Sequence, residues 1–466
     1  MAAIPFAIQH YRHRFLPVAA QRLVNWMPEA QPADAKARVV VLPTPGTVQF
    51  ANLPQGPIRG VQPMADKLFV VAFTHVYRVN ADGSFSDLGT LDDGGPVSMA
   101  ENGTQCIIVV PETNRAWIAT TTDSTLTQIT DVDFGTPTSV TVLDGYAVFS
   151  QLDSSEFFIS AINDALDYDA LDFATAETSP DNIVTIRRSQ NYIWIFGERS
   201  IELWQNLGGE DFPFARNQSL YIERGCAAAF SVAAGFGQVF WLGDDLAVYT
   251  NQNLEPLRIS THPIEQEISG YSRIADAIGW VYEQEGHKFY VLSFPFDNVT
   301  WVFDVSTGVW HERESFGYSG WRCRFGAAFA GAPMAGDAVT GQIWRIDPTA
   351  YDEGGDAIRR LASGTVLAAE GKRVIHRRLQ IDMATGVGLA SGQGSDPQIW
   401  IEFSDDAGQT WSDPVFVPIG RMGEYRTRVQ RRRLGAARER AYRLSMSDPV
   451  GTAIIQAFVD AEPAAH

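Results

Sequence analysis

Few residues in this chain are of a type and spacing that could do chemistry. The phrase SDDAGQTW has the S-x-D-x-G-x-T-W spacing of an Asp box, carried by Ser404, Asp406, Gly408, Thr410 and Trp411. In that spacing Asp406 caps a tight turn through backbone amides, Gly408 takes the positive φ the turn requires, and Trp411 packs beneath. Such a turn stabilises a hairpin and catalyses nothing. The segment NDALDYDALDF gathers Asp164, Asp167, Asp169 and Asp172, a carboxylate cluster of the kind that can hold calcium. It lacks the glycine and terminal glutamate spacing of an EF-hand, so turn caps on a solvated face are the expectation.

The remaining candidates are weaker. The eight histidines form no HExxH or HxH group, and GYSG around Ser319 is one residue short of a G-x-S-x-G elbow, so neither a zinc site nor a hydrolase triad is expected. A glycosidase of the sialidase kind needs several Asp boxes, an arginine trio and a Tyr/Glu pair, whereas one clear box is present here. A pair of carboxylates could still come from the many available, so a glycan-binding or sialidase-like propeller stands as the alternative. No cofactor and no metal are expected.

One charged stretch opposes the rest of the chain. From Arg421 to Arg443 there are nine arginines against two glutamates, while the whole chain carries a formal charge of −19. A solvated strand face and a docking patch centred on Arg431, Arg432 and Arg433 are the two readings, the second calling for an acidic partner such as another copy of this chain. The overall negative charge argues against holding a phosphate backbone, because that affinity comes from Lys and Arg displacing counterions. It suits solubility, or a wall along which DNA slides without sticking.

The elements that must position these residues are strands. With 45% hydrophobic and 20% charged residues the chain has ample core material and no compositional case for disorder. Residues 1–36 lack the apolar stretch of a secretory signal, and no run is long enough to span a bilayer, so a soluble protein made in the cytosol is expected. Cys106, Cys226 and Cys323 are widely spaced and odd in number, which reads as buried thiols.

From about residue 60 to 360, Val-, Ile- and aromatic-rich runs alternate with Asp, Gly, Asn and Ser clusters, the signature of strands joined by tight turns. Seven runs share an aromatic followed by a polar turn: Tyr77, Trp117, Phe157, Trp204, Tyr249, Phe303 and Trp344, spaced 40, 40, 47, 45, 54 and 41 residues apart. That period is what β-propeller blades show, since each sheet buries its faces only against its neighbours. The expected fold is therefore all-β: a propeller over residues 60–361, with seven blades favoured over six, followed by a C-terminal β-sandwich over 362–466 that carries the Asp-box hairpin. Residues 1–59 are expected to form an N-terminal arm in which Arg38–Leu42 is the strand that closes the last blade.

Several phrases together are similar to the packaged-DNA stabilisation proteins of short-tailed phages, which form the tail hub or nozzle. They are RLVNWMPE (22–29), LPTPGTVQF with PIRG (57–60), DALDFATAETSPDNIV (169–184), IWIFGERSIELWQNLG (193–208) and IERGCAAAFSV (222–232). The resemblance implies a virion protein, a homohexameric ring on a portal-adaptor assembly that carries a needle or plug and tailspikes or fibres. It implies that DNA passes through without sequence-specific binding, and it implies no membrane insertion.

Overall fold

The computed structural model describes residues 1–6, 8–209 and 212–464. Apolar alternation over six or seven residues, ended by Gly-, Asn- or Asp-containing turns, produces antiparallel four-stranded sheets throughout the middle of the chain. Six blades are built from consecutive strands, over residues 58–90, 98–128, 137–175, 183–222, 233–258 and 278–312. The seventh is composite: Cys323–Phe329, Ala332–Asp337 and Gln342–Asp347 are completed by Gly46–Asn52, from ahead of the ring. The innermost strands contact one another in order around the axis, and Cys323–Phe329 meets Ile58–Met64 to close the circle.

All seven landmark aromatics lie in the third strand of their blade and all are buried. Six of them pack into the layer shared with the preceding blade. Phe157 is the exception. It points to the following blade, edge-on to Trp204 at 4.9 Å, and its neighbour Phe158 takes the equivalent place, stacked on Phe149. Strand side chains alternate faces, so a shift of one residue exchanges them.

Arg38–Leu42 is not the closing strand. Val39–Pro43 pairs with Trp26–Ala30 and with the last strand, Ile454–Pro463, in the sandwich. The chain turns a corner at Pro43–Pro45, and the strand beyond it, Gly46–Asn52, closes the ring. Both flanks of that corner read as β; the sequence pattern alone does not say which sheet each joins.

The N-terminal residues thus belong largely to the sandwich. Its first sheet orders Trp26–Ala30, Val39–Pro43, Ile454–Pro463, Val374–Met383 and Val429–Arg432, with Ala2–Ile4 added to Ile454–Pro463. Its second orders Ala20–Val24, Arg360–Ser363, Glu439–Met446, Gln398–Ser404 and Val415–Pro418. The sandwich begins at Arg360, two residues ahead of the expected start at 362. Trp26, Leu379, Ile399, Ile401, Tyr442 and Leu444 fill the space between the sheets.

Ala20–Val24 also touches the last strand of the sixth blade through a parallel bridge, Val24 to Glu312, so one sheet runs from propeller into sandwich. The seam is buried and polar. Arg22 donates to both carboxylate oxygens of Glu312 at 2.7 and 2.6 Å. Burial pushes the Glu312 carboxyl up, and Arg22 more than offsets this, holding it below its usual range. Asn25, fully buried at φ 53°, donates to the carbonyls of Glu314 and Arg359 at 2.9 and 2.7 Å and accepts from the Glu314 amide at 3.2 Å. Asn is among the few residues that tolerate this backbone region. Arg313 lies 3.7 Å over the Trp321 ring and donates to the Pro45 carbonyl at 2.8 Å.

Three tests follow from this seam and from the closing strand. Asn25→Ala leaves two carbonyls and an amide without partners, so urea unfolding should show a loss of about 3 kcal/mol. A truncation starting at residue 60 exposes the edge of Gln342–Asp347 and strips four sandwich strands; gel filtration of the refolded product should show aggregates. His10, edge-on to Trp301 in the seam, is pushed by burial down to about 4. Its folded value lies below the unfolded one, so the folded state binds fewer protons, and stability should fall as pH drops from about 6.5 towards 4. His10→Gln should flatten that slope in unfolding curves taken at pH 7 and pH 5.

Candidate assembly surfaces

The Asp box forms the turn between Gln398–Ser404 and Val415–Pro418. Ser404 Oγ donates to Asp406 Oδ1 at 2.6 Å, and Asp406 accepts from the Thr410 amide at 2.9 Å and from Thr410 Oγ1 at 2.5 Å. These bonds, the Ser404 hydroxyl first, hold the Asp406 carboxyl down to about 2. Gly408 sits at φ 96° and its amide donates to Ser404 Oγ at 2.7 Å. Trp411 is only half-buried and carries the Arg443 guanidinium 4.2 Å above its ring. A side chain at Gly408 would press on Ala20, so the turn backs the strand that forms the seam.

The arginine-rich segment divides into two populations. Arg440 is buried and paired in a two-pronged contact with Asp405 at 2.6 and 2.7 Å; Arg443 pairs likewise with Glu402 at 2.9 and 2.6 Å. Arg431 belongs with them: it donates to the Ile401 carbonyl at 2.5 Å, and both it and Arg440 lie over the Phe403 ring, at 5.0 and 4.3 Å. Arg432 and Arg433 are exposed, as are Arg426, Arg428 and Arg438, and none of the five has an acidic partner among the described residues. The expected patch therefore splits, because strand alternation turns Arg431 inward.

Two of the four carboxylates of residues 164–172 serve the backbone. Asp164 caps the Leu166 amide at 3.0 Å and accepts from Gln105 at 3.2 Å; Asp169 caps the Leu171 amide at 2.9 Å. Burial, and then Asp169, pushes the Asp172 carboxyl up. Among the described residues no three His, Cys, Asp or Glu side chains stand close enough to hold a metal ion. Cys106, Cys226 and Cys323 are buried and unpaired.

On the ring axis, side chains from all seven innermost strands wall a cavity of about 270 Å³. Among the described residues Arg187 is the one charged residue in its lining, and its guanidinium donates to the Val232 carbonyl at 3.3 Å. Among the described residues no carboxylate lines it, and the arginine trio of a sialidase-like site is not gathered there. A duplex whose major groove alone is about 12 Å wide does not fit.

The phrases densest in the middle of the chain build the joints between the third, fourth and fifth blades. Asp181 accepts from the amides of Arg199 and Ser200 at 2.7 and 3.1 Å. Buried Glu202 accepts from the Thr178 amide at 2.8 Å and from the Trp204 indole at 2.9 Å. A Cβ at Gly225 would collide with the Glu198 carbonyl. Arg59 of the PIRG phrase, 3% exposed, donates to the carbonyls of Gly95, Phe73 and Asp92 at 2.6 to 2.8 Å and fastens the first blade to the second. Sequence reasoning did not assign these roles; the signal was a charged residue inside an otherwise apolar phrase. Asp406→Ala should loosen the Asp-box turn by about 1 to 2 kcal/mol, and Arg440→Ala should cost more because it empties a buried site over Phe403 and leaves the Leu434 carbonyl without its donor; thermal melts of the two variants rank them.

Comparisons with known proteins bear on the whole chain. No curated protein matches it. Among solved structures, YCF48 from Cyanidioschyzon merolae aligns at 13% identity and a TM-score of 0.40 over 70% of this chain and 99% of that one. The N-terminal domain of Nup159 gives 8%, 0.41, 70% and 99%, and the β-propeller domain of Myceliophteria thermophila Cps50 (Swd1) gives 8%, 0.42, 65% and 100%. Likenesses this remote carry no functional argument. Two family profiles match instead, "Bacteriophage P22 Gp10, beta-propeller" over residues 11–351 and "Bacteriophage P22 Gp10, beta-sandwich" over 359–462, and together they span nearly the whole chain. The chain therefore belongs to the Gp10 family of phage tail structural proteins, as a β-propeller joined to a β-sandwich.

Proposed function

We propose that this virion protein forms a ring of six copies, the hub or nozzle of a short tail, seated on the portal-adaptor assembly. In this role it retains the packaged DNA by closing the exit, serves as the exit conduit when the tail opens, and anchors the needle or plug and the tailspikes or fibres. It acts by shape and not by catalysis. The observation that carries the reading is the continuous sheet from the sixth blade into the sandwich, locked by Arg22 on Glu312 and by Asn25. A joint of this kind transmits force without a hinge, which a load-bearing tube requires.

The axial cavity supports one further detail. It is too small for a duplex, so a conduit is formed between copies and not through a propeller. A net charge of −19 suits such a wall, because it offers phosphates no net attraction.

Native mass spectrometry and electron microscopy of the purified protein, alone and with portal and adaptor proteins, test this reading. The expected result is a closed ring that joins the adaptor and encloses an opening wide enough for duplex DNA. A chain that stays monomeric and never joins them overturns the hub. Turnover of a fluorogenic sialoside, abolished by a carboxylate substitution, would favour the glycan-active alternative.

A further inference from the structure

Two surfaces of the chain share a composition with opposite charge. The outer edge of the third blade exposes an unusual set of apolar side chains, Val132 at 94% and Leu171 at 79% among them. They sit among carboxylates: Asp133, Glu156, Asp169 and Asp172 line one shallow depression there, together with the apolar ring of Phe173. The outermost strand, Phe173–Thr175, is only three residues long and leaves this edge open. On the sandwich, the edge strand Val429–Arg432 and the turn before it expose Tyr425 at 74% and Met422 at 61% beside Arg426, Arg428, Arg432 and Arg433.

The basic edge is in need of an anion. Arg432 stands directly across the sheet from Arg378, and like charges at opposed positions destabilise a strand pair. Arg378 leans to Asp460 at 3.8 Å, whereas Arg432 has no acidic neighbour among the described residues. Tyr, Met and Arg are the residues enriched where protein surfaces meet, so the interleaved apolar groups favour a protein over a nucleic acid as the occupant.

We infer that the arginine-rich edge of the sandwich docks on the acidic, apolar outer edge of the third blade of a second copy. This rests on the ring assembly proposed above and names the faces that mate. Within one chain the two cannot meet. The sandwich is joined by hydrogen bonds to the sixth blade, three places around a ring of seven from the third. The contact is therefore head-to-tail, each copy using one face towards each neighbour, the kind of contact that gives a ring when the rotation between copies closes.

Charge reversal tests the pairing. Arg432→Glu with Arg433→Glu changes only the basic edge and spares Arg431, which supports the fold; Asp133→Lys with Glu156→Lys changes only the acidic edge. Sedimentation velocity of the full chain over a range of concentration and salt is the readout, with thermal melts to confirm folding. Each reversal should weaken self-association at least about tenfold, and an equal mixture of the two variants, or both reversals in one chain, should restore it. If the wild type forms rings and both reversals still do, the pairing is overturned while the hub stands. A wild type that never associates, alone or with the adaptor, overturns both. Binding of duplex DNA that is lost in Arg432→Glu with Arg433→Glu, while self-association is unchanged, assigns the edge to nucleic acid and overturns the inference.

Discussion

The structure depends on a single shared strand. Ala20–Val24 belongs to the second sheet of the sandwich and also bridges the last strand of the sixth blade, and Arg22 on it and Asn25 just beyond it find their hydrogen-bond partners across the joint. A buried network of this kind is strong only when every member is paired, because the low dielectric that strengthens each bond also makes an orphaned group costly. Arg22, Asn25 and Glu312 are satisfied only when propeller and sandwich are both in place. The two modules are therefore not beads on a string.

The same N-terminal stretch manages the sheet edges. Between residues 20 and 52 the chain supplies the seam, two strands of the sandwich and the strand that completes the seventh blade. Closure removes the unpaired strand edge that an open array of blades would present to other chains. It also ties residues 46–52 to residues 342–347, so the ring is sealed by a contact of very long sequence separation, which makes its formation slow relative to that of a blade.

Charge is distributed by the same logic of position. Arginines that face the interior of the sandwich are held by carboxylates, carbonyls or aromatic rings, as with Arg440, Arg443 and Arg431. Of those that face outward, Arg421 pairs with Asp396, whereas Arg426, Arg428, Arg432, Arg433 and Arg438 have no acidic partner among the described residues and stand beside exposed apolar groups. Inward arginines stabilise the hairpin around the Asp box; outward ones give an acidic protein one basic edge. A charge count over the segment treats both alike.

The sequence by itself determined the class of fold, the period of the blades and the chemistry of the Asp-box turn, because these are local: alternation, turn residues and capping spacing act within a few residues. The seven landmark aromatics were legible for that reason, and even Phe157 missed its place by a single residue, the smallest error a two-residue period allows. What only the tertiary structure decided is which edges pair. Arg38–Leu42 and Gly46–Asn52 are both plausible strands on either side of one proline corner, and nothing local assigns the first to the sandwich and the second to the ring. Arg431 and Arg432 are identical in sequence terms, yet one lies over Phe403 and the other is exposed. Pairing and facing are settled by partners hundreds of residues away, through hydrogen bonds and burial that exist only once the ring and the sandwich have closed on the strand they share.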